Sequence, residues 1–228
     1  GTLGLRKGAL EDLVRRVIDL SVLEGKKVLV TGHTGFKGSW LCVLLRHYGA
    51  EVHGYALDPP TDPSLYVEAG LDSFVRSEIG DIRDLGHLSD FYRSVSPDFV
   101  RHMAAQPLVR EGYSNPVLTY GANVMGTVNI MECVRLHGAK SFLNVTTDKV
   151  YRNLETGQRY REGDELDGFD PYSNSKSCSE LVTATYRRSF NLGCPVSTAR
   201  AGNVIGGGDF AKDRIVPDCV RAALEGKE

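Results

Sequence analysis

Residues 26–38 read KKVLVTGHTGFKG, a short apolar run followed at once by three evenly spaced glycines. An apolar run of this length is typical of a strand buried on both faces of a parallel sheet. Gly32, Gly35 and Gly38 then introduce residues 39–48, which have a helical pattern. Glycine permits a tight turn and lets backbone N–H groups approach a pyrophosphate, and a helix N-terminus favours an anion. The segment therefore predicts a βα unit that binds a dinucleotide.

The rest of the chain continues in alternating β and α patterns. We predict further strands at 51–57, 74–78, 99–104, 141–146 and 196–201, and helices at 85–94, 116–137, 171–191 and 215–224. Right-handed crossovers are the standard way to join parallel strands, so this order predicts a Rossmann-like, doubly wound α/β sheet. A helical pattern at 10–20 precedes it. We therefore expect a helical N-terminal extension at 1–25 and one dinucleotide-binding domain from residue 26 to 228.

Composition argues against several other classes of protein. Twenty-seven Lys and Arg against 29 Asp and Glu give a net charge of −2, too balanced for a protein held on nucleic acid or a membrane by a basic face. We see no apolar run long enough to predict a membrane-spanning helix. The five cysteines include no CxxC pair, so neither a metal site nor a disulfide framework is expected. With no apolar signal core near the start, we expect a reducing, cytoplasmic setting.

Two aspartates complete the dinucleotide pattern. Asp58 ends the second predicted strand, about 20 residues after Gly38, where a carboxylate hydrogen-bonds the ribose hydroxyls of NAD and repels the extra phosphate of NADP. Asp81, in Gly80-Asp81-Ile82, is placed to meet the adenine. The alternative is a glycine-rich turn without a ligand, and Asp58 alone could be a turn residue. Taken together, the features predict NAD as the cofactor.

A second group of chemical residues follows the fifth predicted strand. Tyr172 and Lys176 lie four positions apart near the start of a helix, so they share a face. An ammonium beside a phenol lowers the tyrosine pKa and makes the phenol a general base. The segment Thr146-Thr147-Asp148-Lys149 lies at the end of that strand, where open α/β sheets bind their ligands. A threonine hydroxyl there could bridge a sugar hydroxyl and Tyr172.

Asp148 and Lys149 go beyond what alcohol oxidation requires. Removing a proton and a hydride from an alcohol needs only the threonine, the tyrosine and the lysine of the helix. An additional acid–base pair beside them favours a second reaction, such as elimination of water. The alternative is an exposed charged turn.

The chain resembles the extended short-chain dehydrogenase/reductase family, the NAD-dependent epimerases and dehydratases. The matching segments cover nearly everything from residue 26 onward, in the family's order. They are VLVTGHTGFKGSWL (28–41), GYALDPPT (54–61), GDIRD (80–84), AAQPLVR (104–110), NVMGTVN (123–129), VTTDKVY (145–151), DPYSNSKSCSELV (170–182) and ARAGNVIGGGDFAKDRIVPD (199–218). The Thr-Asp-Lys turn is the specific part, because related dTDP- and GDP-sugar dehydratases carry Thr-Asp-Glu and epimerases lack the acid–base pair.

The resemblance implies a sugar-nucleotide 4,6-dehydratase, a lyase, whose expected substrate is CDP-glucose and whose product is CDP-4-keto-6-deoxyglucose. Tyr172, supported by Lys176 and Thr147, would take the proton of the sugar 4-hydroxyl while NAD takes the hydride from C4. Lys149 would remove the proton on C5, and Asp148 would protonate the departing C6 hydroxyl. The hydride would then return to C6.

The resemblance also implies binding roles. The expected cofactor-binding residues are Gly32, Gly35, Phe36, Lys37, Gly38, Asp58, Asp81, Ile82, Ala104, Ala105, Gln106, Asn123, Tyr172 and Lys176. Of these, Ala104 to Gln106 match a loop near the nicotinamide ribose, and Asn123 matches a helix asparagine that holds the active-site backbone or a water. The expected substrate-binding residues are Gln106, Thr147, Asn203 and Arg214. Arg214 is matched to a phosphate, although a surface arginine is an equal alternative.

Two features depart from the family pattern. Arg101 lies in the fourth predicted strand, where family members are apolar, and a charge in a buried strand is costly unless it is paired. Family members also continue well beyond Glu228, so we expect most of the C-terminal substrate lobe to be missing, with only its beginning present. The alternatives are therefore a nucleotide-sugar 4-epimerase or dehydrogenase, or an NAD-binding fragment without turnover. Surplus apolar residues on helices 116–137 and 171–191 favour a homodimer.

Overall fold

A computed structural model describes residues 20–157 and 159–226. The predicted helix at 10–20, and with it most of the N-terminal extension, lies outside the described residues. The described end of the extension contains a single 3₁₀ turn, Ser21–Leu23. Leu23 is buried there against the first strand and the helix that follows it.

The described residues contain one sheet of six strands in the order β3-β2-β1-β4-β5-β6. The strands are β1 Lys27–Thr31, β2 Glu51–Ala56, β3 Val75–Ile79, β4 Phe99–His102, β5 Ser141–Val145 and β6 Val196–Ala199. Every neighbouring pair is parallel. The strand order reverses between β1 and β4, and ligands of open α/β sheets bind outside the carboxyl ends of the strands at such a point. The predicted doubly wound fold is confirmed.

Helices in the described part of the chain connect these strands. They are α1 Phe36–His47, α2 Leu65–Glu68, α3 Leu85–Val95, α4 Val109–Ser114, α5 Pro116–Tyr120, α6 Gly126–His137, α7 Pro171–Ser189 and α8 Ile215–Leu224. A π-helical turn, Gly121–Met125, joins α5 to α6, and 3₁₀ turns occur at Leu71–Ser73 and Asp148–Val150. Among these described helices, none is long and apolar enough to cross a membrane.

Two hydrophobic clusters cover the two faces of the sheet. On one face Leu29 of β1 packs with residues of α3 and α6, such as Leu88 and Ile130. On the other face Val28 and Val30 pack with residues of α1. Successive residues of β1 therefore point into different clusters, which is why the strand is apolar without alternation.

The helix predicted at 116–137 is divided by the π turn Gly121–Met125. At its centre, the buried Asn123 side chain bonds to Gln106 in the loop after β4. Packing is close at the end of the turn, because a Cβ on Gly126 would lie 2.7 Å from Ile82. Hydrophobic periodicity does not reveal a π turn, which widens the helix by one residue and is common at functional sites.

Arg101, a residue of β4, has uncharged hydrogen-bond partners. Its Nη1 donates to the Val100 carbonyl oxygen and to Ser141 Oγ, both at 3.1 Å. The guanidinium carbon also lies 5.5 Å from the centre of the Phe99 ring. Burial lowers the pKa of Arg101. Hydrogen bonds and a cation–π contact therefore account for a charged residue in this strand.

Candidate active site

The glycine turn lies at the point where the strand order reverses. Gly32 has a φ of 76°, and a Cβ there would lie 2.7 Å from Ala104 N. A Cβ on Gly38 would lie 2.1 Å from the Gly32 carbonyl oxygen. Helix α1 begins at Phe36, three residues earlier than predicted, with Gly35 as its N-cap. Only glycine fits at positions 32 and 38, the first and last glycines of the turn. The first turn of α1 faces the carboxyl edge of the sheet, where an anion would bind.

His33, inside this turn, is fully buried. Its Nε2 lies 2.7 Å from Ser77 Oγ, and its ring makes an edge contact with Tyr66. Burial lowers the pKa of His33 to about 4, so the imidazole is neutral at physiological pH. The histidine therefore anchors the glycine turn to β3 and to helix α2.

The two predicted aspartates lie at the carboxyl edge of the sheet. Asp58 is exposed, two residues beyond the end of β2. Thr34 Oγ1 donates to the Leu57 carbonyl oxygen at 2.8 Å, which brings the glycine turn beside Asp58. Asp81 accepts hydrogen bonds from Arg83 N at 2.9 Å and from Arg83 Nε at 3.0 Å. These bonds hold the pKa of Asp81 low, a pairing that the sequence did not predict.

The loop after β4 is fixed by polar side chains. Thr31 Oγ1 accepts from Ala104 N at 3.2 Å. Asn123 Oδ1 accepts from Gln106 N at 2.8 Å, and Asn123 Nδ2 donates to the Gln106 carbonyl oxygen and to Ser175 Oγ. The Gln106 amide itself donates to Thr119 Oγ1 at 2.8 Å. Asn123 therefore ties this loop to α7, and the Gln106 side chain already has partners within the protein.

The start of α7 is fixed by Asp170, its N-cap residue, which accepts from Ser173 N at 3.1 Å and from Ser173 Oγ at 2.5 Å. Pro171 occupies the first helical position, where its missing N–H costs nothing. A helix that begins at this point carries Tyr172 and Lys176 on one face, one turn apart.

Lys176 is only 4% exposed. Its Nζ donates to the Val145 carbonyl oxygen at 3.2 Å, at the end of β5. Burial lowers the pKa of Lys176 to about 8, the charge of Lys37 acts in the same direction, and Glu180 acts against both. The ammonium and its neutral form are therefore close in free energy near neutral pH.

Tyr172 responds to its surroundings differently from the prediction. Burial is the largest influence and raises the pKa of Tyr172, while a hydrogen bond with Thr147 and the charge of Arg214 act to lower it. The sequence predicted that Lys176 would lower this pKa. Since the Lys176 ammonium is directed at the Val145 carbonyl, burial of the phenol dominates instead.

The predicted acid–base pair lies on the 3₁₀ turn after β5. Thr147 caps this turn by accepting from Lys149 N, and its Oγ1 donates to Asp148 Oδ1 at 3.1 Å. Lys149 Nζ donates to the same carboxylate oxygen at 3.2 Å and to Asn203 Oδ1 at 3.1 Å. Both side chains are partly accessible, and the hydrogen bond of Tyr172 with Thr147 places the phenol beside this turn.

Three cations from distant segments lie near one another here. Burial lowers the pKa of Lys37, and the charges of Arg214 and Lys149 lower it further. Arg214 also pairs with Asp209, with Nη1 3.1 Å from Oδ2. Clustered cations between a glycine turn and an acid–base pair suit a polyphosphate.

The segment 203–208 crosses the N-terminus of α1. Trp40 Nε1 donates to the Gly207 carbonyl oxygen at 2.9 Å, and a Cβ on Gly206 would lie 3.3 Å from the Phe36 ring. A cleft of about 300 Å³ lies between this segment and Phe36, Lys37 and Trp40. Asn203 therefore belongs to a segment that borders both the glycine turn and the acid–base pair.

Glu180 and Arg200 were missed by the sequence reasoning. They form a buried ion pair between α7 and the residue after β6. The available signal was weak: Glu180 follows Lys176 by one helical turn, and Arg200 follows directly on the sixth strand.

Among the described residues, no three His, Cys, Asp or Glu side chains come together as a metal site.

A parallel sheet with a glycine turn at its reversal point and a Tyr-x-x-x-Lys helix beside it defines a dinucleotide-binding domain of the short-chain dehydrogenase/reductase class. A sequence model of the NAD dependent epimerase/dehydratase family matches residues 28–228. The chain belongs to this family. The resemblance read from the motifs is confirmed.

Individual relatives agree with this assignment. The CDP-glucose 4,6-dehydratase of Salmonella typhimurium is 50% identical over 214 residues, which cover 90% of this chain and 60% of that protein. The GDP-mannose 4,6-dehydratase of Vibrio cholerae is 30% identical, over 73% of this chain and 47% of that protein. The chain therefore spans about 60% of the length of the first of these relatives.

Solved structures show the same fold. DesIV of Streptomyces venezuelae, a dTDP-glucose 4,6-dehydratase solved as a double mutant with NAD and DAU bound, superposes with a TM-score of 0.76 at 29% identity and covers 87% of this chain and 62% of its own. The dTDP-glucose 4,6-dehydratase of Bacillus anthracis in complex with NAD gives a TM-score of 0.76 at 26% identity, over 90% of this chain and 63% of its own.

Proposed function

We propose that this chain forms the NAD-binding and catalytic part of a nucleotide-sugar 4,6-dehydratase that acts on CDP-glucose. The observation that carries the proposal is the convergence of Tyr172 and Lys176 with Asp148 and Lys149 at the carboxyl ends of β5 and β6. Oxidation at C4 needs the first pair, and elimination of water needs the second. The named activity of the Salmonella relative supports the same conclusion.

NAD is the proposed cofactor, and the glycine turn fits it because the positions nearest a pyrophosphate have no room for a side chain. Gly32, Gly35, Phe36, Lys37 and Gly38 would hold the pyrophosphate. Asp58 would bind the adenosine ribose, and Asp81 and Ile82 the adenine. The loop 104–106, positioned by Asn123, would meet the nicotinamide side together with Tyr172 and Lys176. When bound, NAD supplies a hydride acceptor for C4 of the sugar and a hydride donor for C6.

In the first half of the reaction Tyr172 takes the proton of the sugar 4-hydroxyl. Thr147 hydrogen-bonds the phenol and would orient the same hydroxyl. Lys176, fixed to the Val145 carbonyl, places a positive charge below the developing phenolate. The ketone formed at C4 makes the proton on C5 acidic.

In the second half of the reaction, two residues of the turn after β5 catalyse the elimination of water from the sugar. Lys149, once neutral, takes the proton from C5, and protonated Asp148 gives a proton to the C6 hydroxyl, which leaves as water. Asn203 holds the Lys149 amine through Oδ1. Arg214 and Asn203 would face the diphosphate of the substrate, and Gln106 would line the sugar side through its backbone.

We extend the proposal to organisation and setting. A homodimer through α5, α6 and α7 would cover exposed apolar side chains, such as Val117, Met125 and Leu181, which are 86%, 52% and 52% exposed. Residues 26–228 would form one NAD-binding domain, with the segment after β6 as the beginning of a substrate lobe. Five free cysteines agree with a reducing, cytoplasmic setting. No nucleic-acid or membrane partner is proposed.

Incubation of the purified chain with NAD and CDP-glucose tests the proposal. A 4-ketone chromophore in alkali, with a 6-deoxy methyl signal by NMR, is the expected result. Lys149→Met is expected to abolish solvent exchange at C5 and formation of the methyl group. A product epimerised at C4 without a methyl signal would indicate a 4-epimerase. NAD retained on the chain without any product would indicate cofactor binding without turnover.

A further inference from the structure

Beneath the candidate active site, a buried ion pair joins α7 to the end of β6. Glu180 is 4% exposed, and the Arg200 side chain is 16% exposed. Arg200 Nε donates to Glu180 Oε1 and Arg200 Nη2 donates to Glu180 Oε2, each at 3.0 Å. A two-pronged contact of this kind fixes the plane of both groups as well as their separation. The pair therefore sets how the end of β6 lies against α7.

The same carboxylate also holds the end of β5. Thr146 Oγ1 donates to Glu180 Oε1 at 2.5 Å. Although burial acts to raise the pKa of Glu180, hydrogen bonds from Arg200 and Thr146 keep it below its usual value. The ionised carboxylate thus binds the residue directly before Thr147, Asp148 and Lys149.

Arg200 holds the other end of that turn. Its Nη1 donates to the Tyr151 hydroxyl at 2.9 Å, and its guanidinium carbon lies 4.9 Å from the centre of the Tyr151 ring. Tyr151 directly follows the turn Asp148–Val150. One ion pair therefore holds the turn 147–150, which carries Asp148 and Lys149, from both ends. Glu180 binds Thr146 before the turn, and Arg200 binds Tyr151 after it.

The pair also contributes a charge to the neighbourhood of Lys176. Glu180 follows Lys176 by one turn of α7, and its negative charge raises the pKa of Lys176 against the effect of burial. The other charged or titratable groups around Lys176 are Lys37 from α1, His102 from β4, Tyr172 on the same helix, and Arg200 behind Glu180.

We propose that Glu180 and Arg200 are positioning residues that hold the turn 147–150 at its distance from Tyr172 and keep a negative charge beside Lys176. Neither side chain reaches the reacting atoms, so both act through Thr146, Tyr151 and Lys176. The kinetic consequence rests on the proposed function, whereas the effect on ionisation does not.

Three variants separate charge from geometry. Glu180→Gln keeps the shape and removes the charge, and Glu180→Asp keeps the charge and shortens the reach. Because a lone buried Arg200 could prevent folding, the double variant Glu180→Leu, Arg200→Met removes the pair without leaving an unpaired charge. Tyr186→Phe is the matched control, since it removes a 2.6 Å hydrogen bond from another residue of α7 to Glu132 of α6.

The first measurement needs no turnover. Lysines labelled with ¹³C at Cε are titrated by NMR, and Lys176→Met identifies the signal of Lys176. Without the Glu180 charge, Lys176 loses its proton more easily. The pKa of Lys176 is therefore expected to fall by roughly half a unit or more in Glu180→Gln and in the double variant. It should stay in place in Glu180→Asp and Tyr186→Phe.

The second measurement follows product formation from CDP-glucose against pH in the holoenzyme. Glu180→Gln is expected to lower kcat at least about tenfold, with KM little changed, and to move the alkaline limb of the pH profile to lower pH, because the mechanism needs Lys176 protonated. Glu180→Asp should lower kcat and leave the limb in place. If wild type forms no product but the NMR titration shifts, the proposed function fails and the positioning pair stands. If Glu180→Gln and the double variant both titrate like Tyr186→Phe, the inference is overturned.

Discussion

At the scale of single residues, burial decides the chemistry of this site more than spacing does. Tyr172 and Lys176 share a helix face as the motif predicts, but the pKa of the phenol is raised by burial and that of the ammonium is lowered to about 8. The motif supplies the pair, and the surrounding strands decide how readily each member ionises.

Replacing Lys176 by methionine is expected to stabilise the fold and to destroy activity. Burial depresses the pKa of Lys176 from 10.5 to about 8, so a stability penalty is present in full below pH 8 and is relieved as the pH rises toward 10.5. Lys176→Met should therefore raise the free energy of unfolding by roughly 2 kcal/mol at pH 7 and have little effect near pH 10.5. Urea denaturation at the two pH values measures this, and activity should fall about 100-fold or more. Equal effects at both pH values would contradict the argument.

Gly38 is expected to tolerate no side chain. The Cβ of Gly38→Ala would lie 2.1 Å from a backbone oxygen, which cannot rotate away. We expect a loss of more than about 2 kcal/mol in the free energy of unfolding and at least about tenfold weaker NAD binding by calorimetry. Gly163→Ala is the control, because a Cβ at Gly163 meets nothing within 4 Å and Gly163 has no positive φ.

At the scale of elements, sequence patterns located the strands and the longer helices and missed the shortest helices and the tertiary contacts. The six strands were predicted because buried parallel strands are apolar runs between turn signals. Helices α2 and α4 were not predicted, since Leu65–Glu68 and Val109–Ser114 are too short for a helical period to show.

The candidate site was predictable to a similar degree. The glycine turn and the Thr-Asp-Lys turn follow their strands directly, so sequence order alone placed them at the carboxyl edge. The pairing of Glu180 with Arg200 could not be predicted, because no spacing rule connects a helix residue with the end of a later strand. The pairing of Asp81 with Arg83 was also not foreseen, although the two residues lie only two positions apart.

The π turn makes Asn123 a test of how elements hold the site. Asn123→Ala removes hydrogen bonds to Gln106 N, to the Gln106 carbonyl and to Ser175 Oγ. Because these groups lie in the interior, we expect a loss of about 3 kcal/mol in urea denaturation, together with weaker NAD binding. Ser89→Ala, which loses an exposed contact with His137, should change neither the free energy of unfolding nor the affinity for NAD. Stability loss without any change in NAD affinity would show that the loop 104–106 holds its shape unaided.

At the scale of the whole molecule, the two halves of the sheet divide the work. The β1–β3 half carries the glycine turn, the β4–β6 half carries the proposed acid–base residues, and the segment 203–208 crosses from the second half to the first. Trp40, which bonds to Gly207, lies at that crossing and is the only tryptophan in the sequence.

Trp40 should therefore report cofactor binding. We expect NAD to change tryptophan emission in proportion to the occupied fraction, because the indole lies one helical turn from Phe36 and Lys37. Trp40→Phe should abolish the signal while calorimetry still detects binding. An emission spectrum that stays constant while calorimetry shows saturation would place the cofactor away from α1.

The two outer strands of the sheet differ in a way that bears on how the protein behaves when concentrated. Within the described residues β3 and β6 each have one neighbour, and β3 carries Arg76 and Glu78 whereas β6 reads Val-Ser-Thr-Ala without a charge. Charged side chains on an outer strand discourage edge-to-edge pairing between molecules, and β6 lacks that protection. We expect concentration-dependent association through β6, with Ser197→Lys reducing the scattered light and Ile79→Lys, at an exposed position of β3, leaving it unchanged. Within the described residues, the unprotected edge is four residues long and lies on the side of the sheet farthest from the glycine turn.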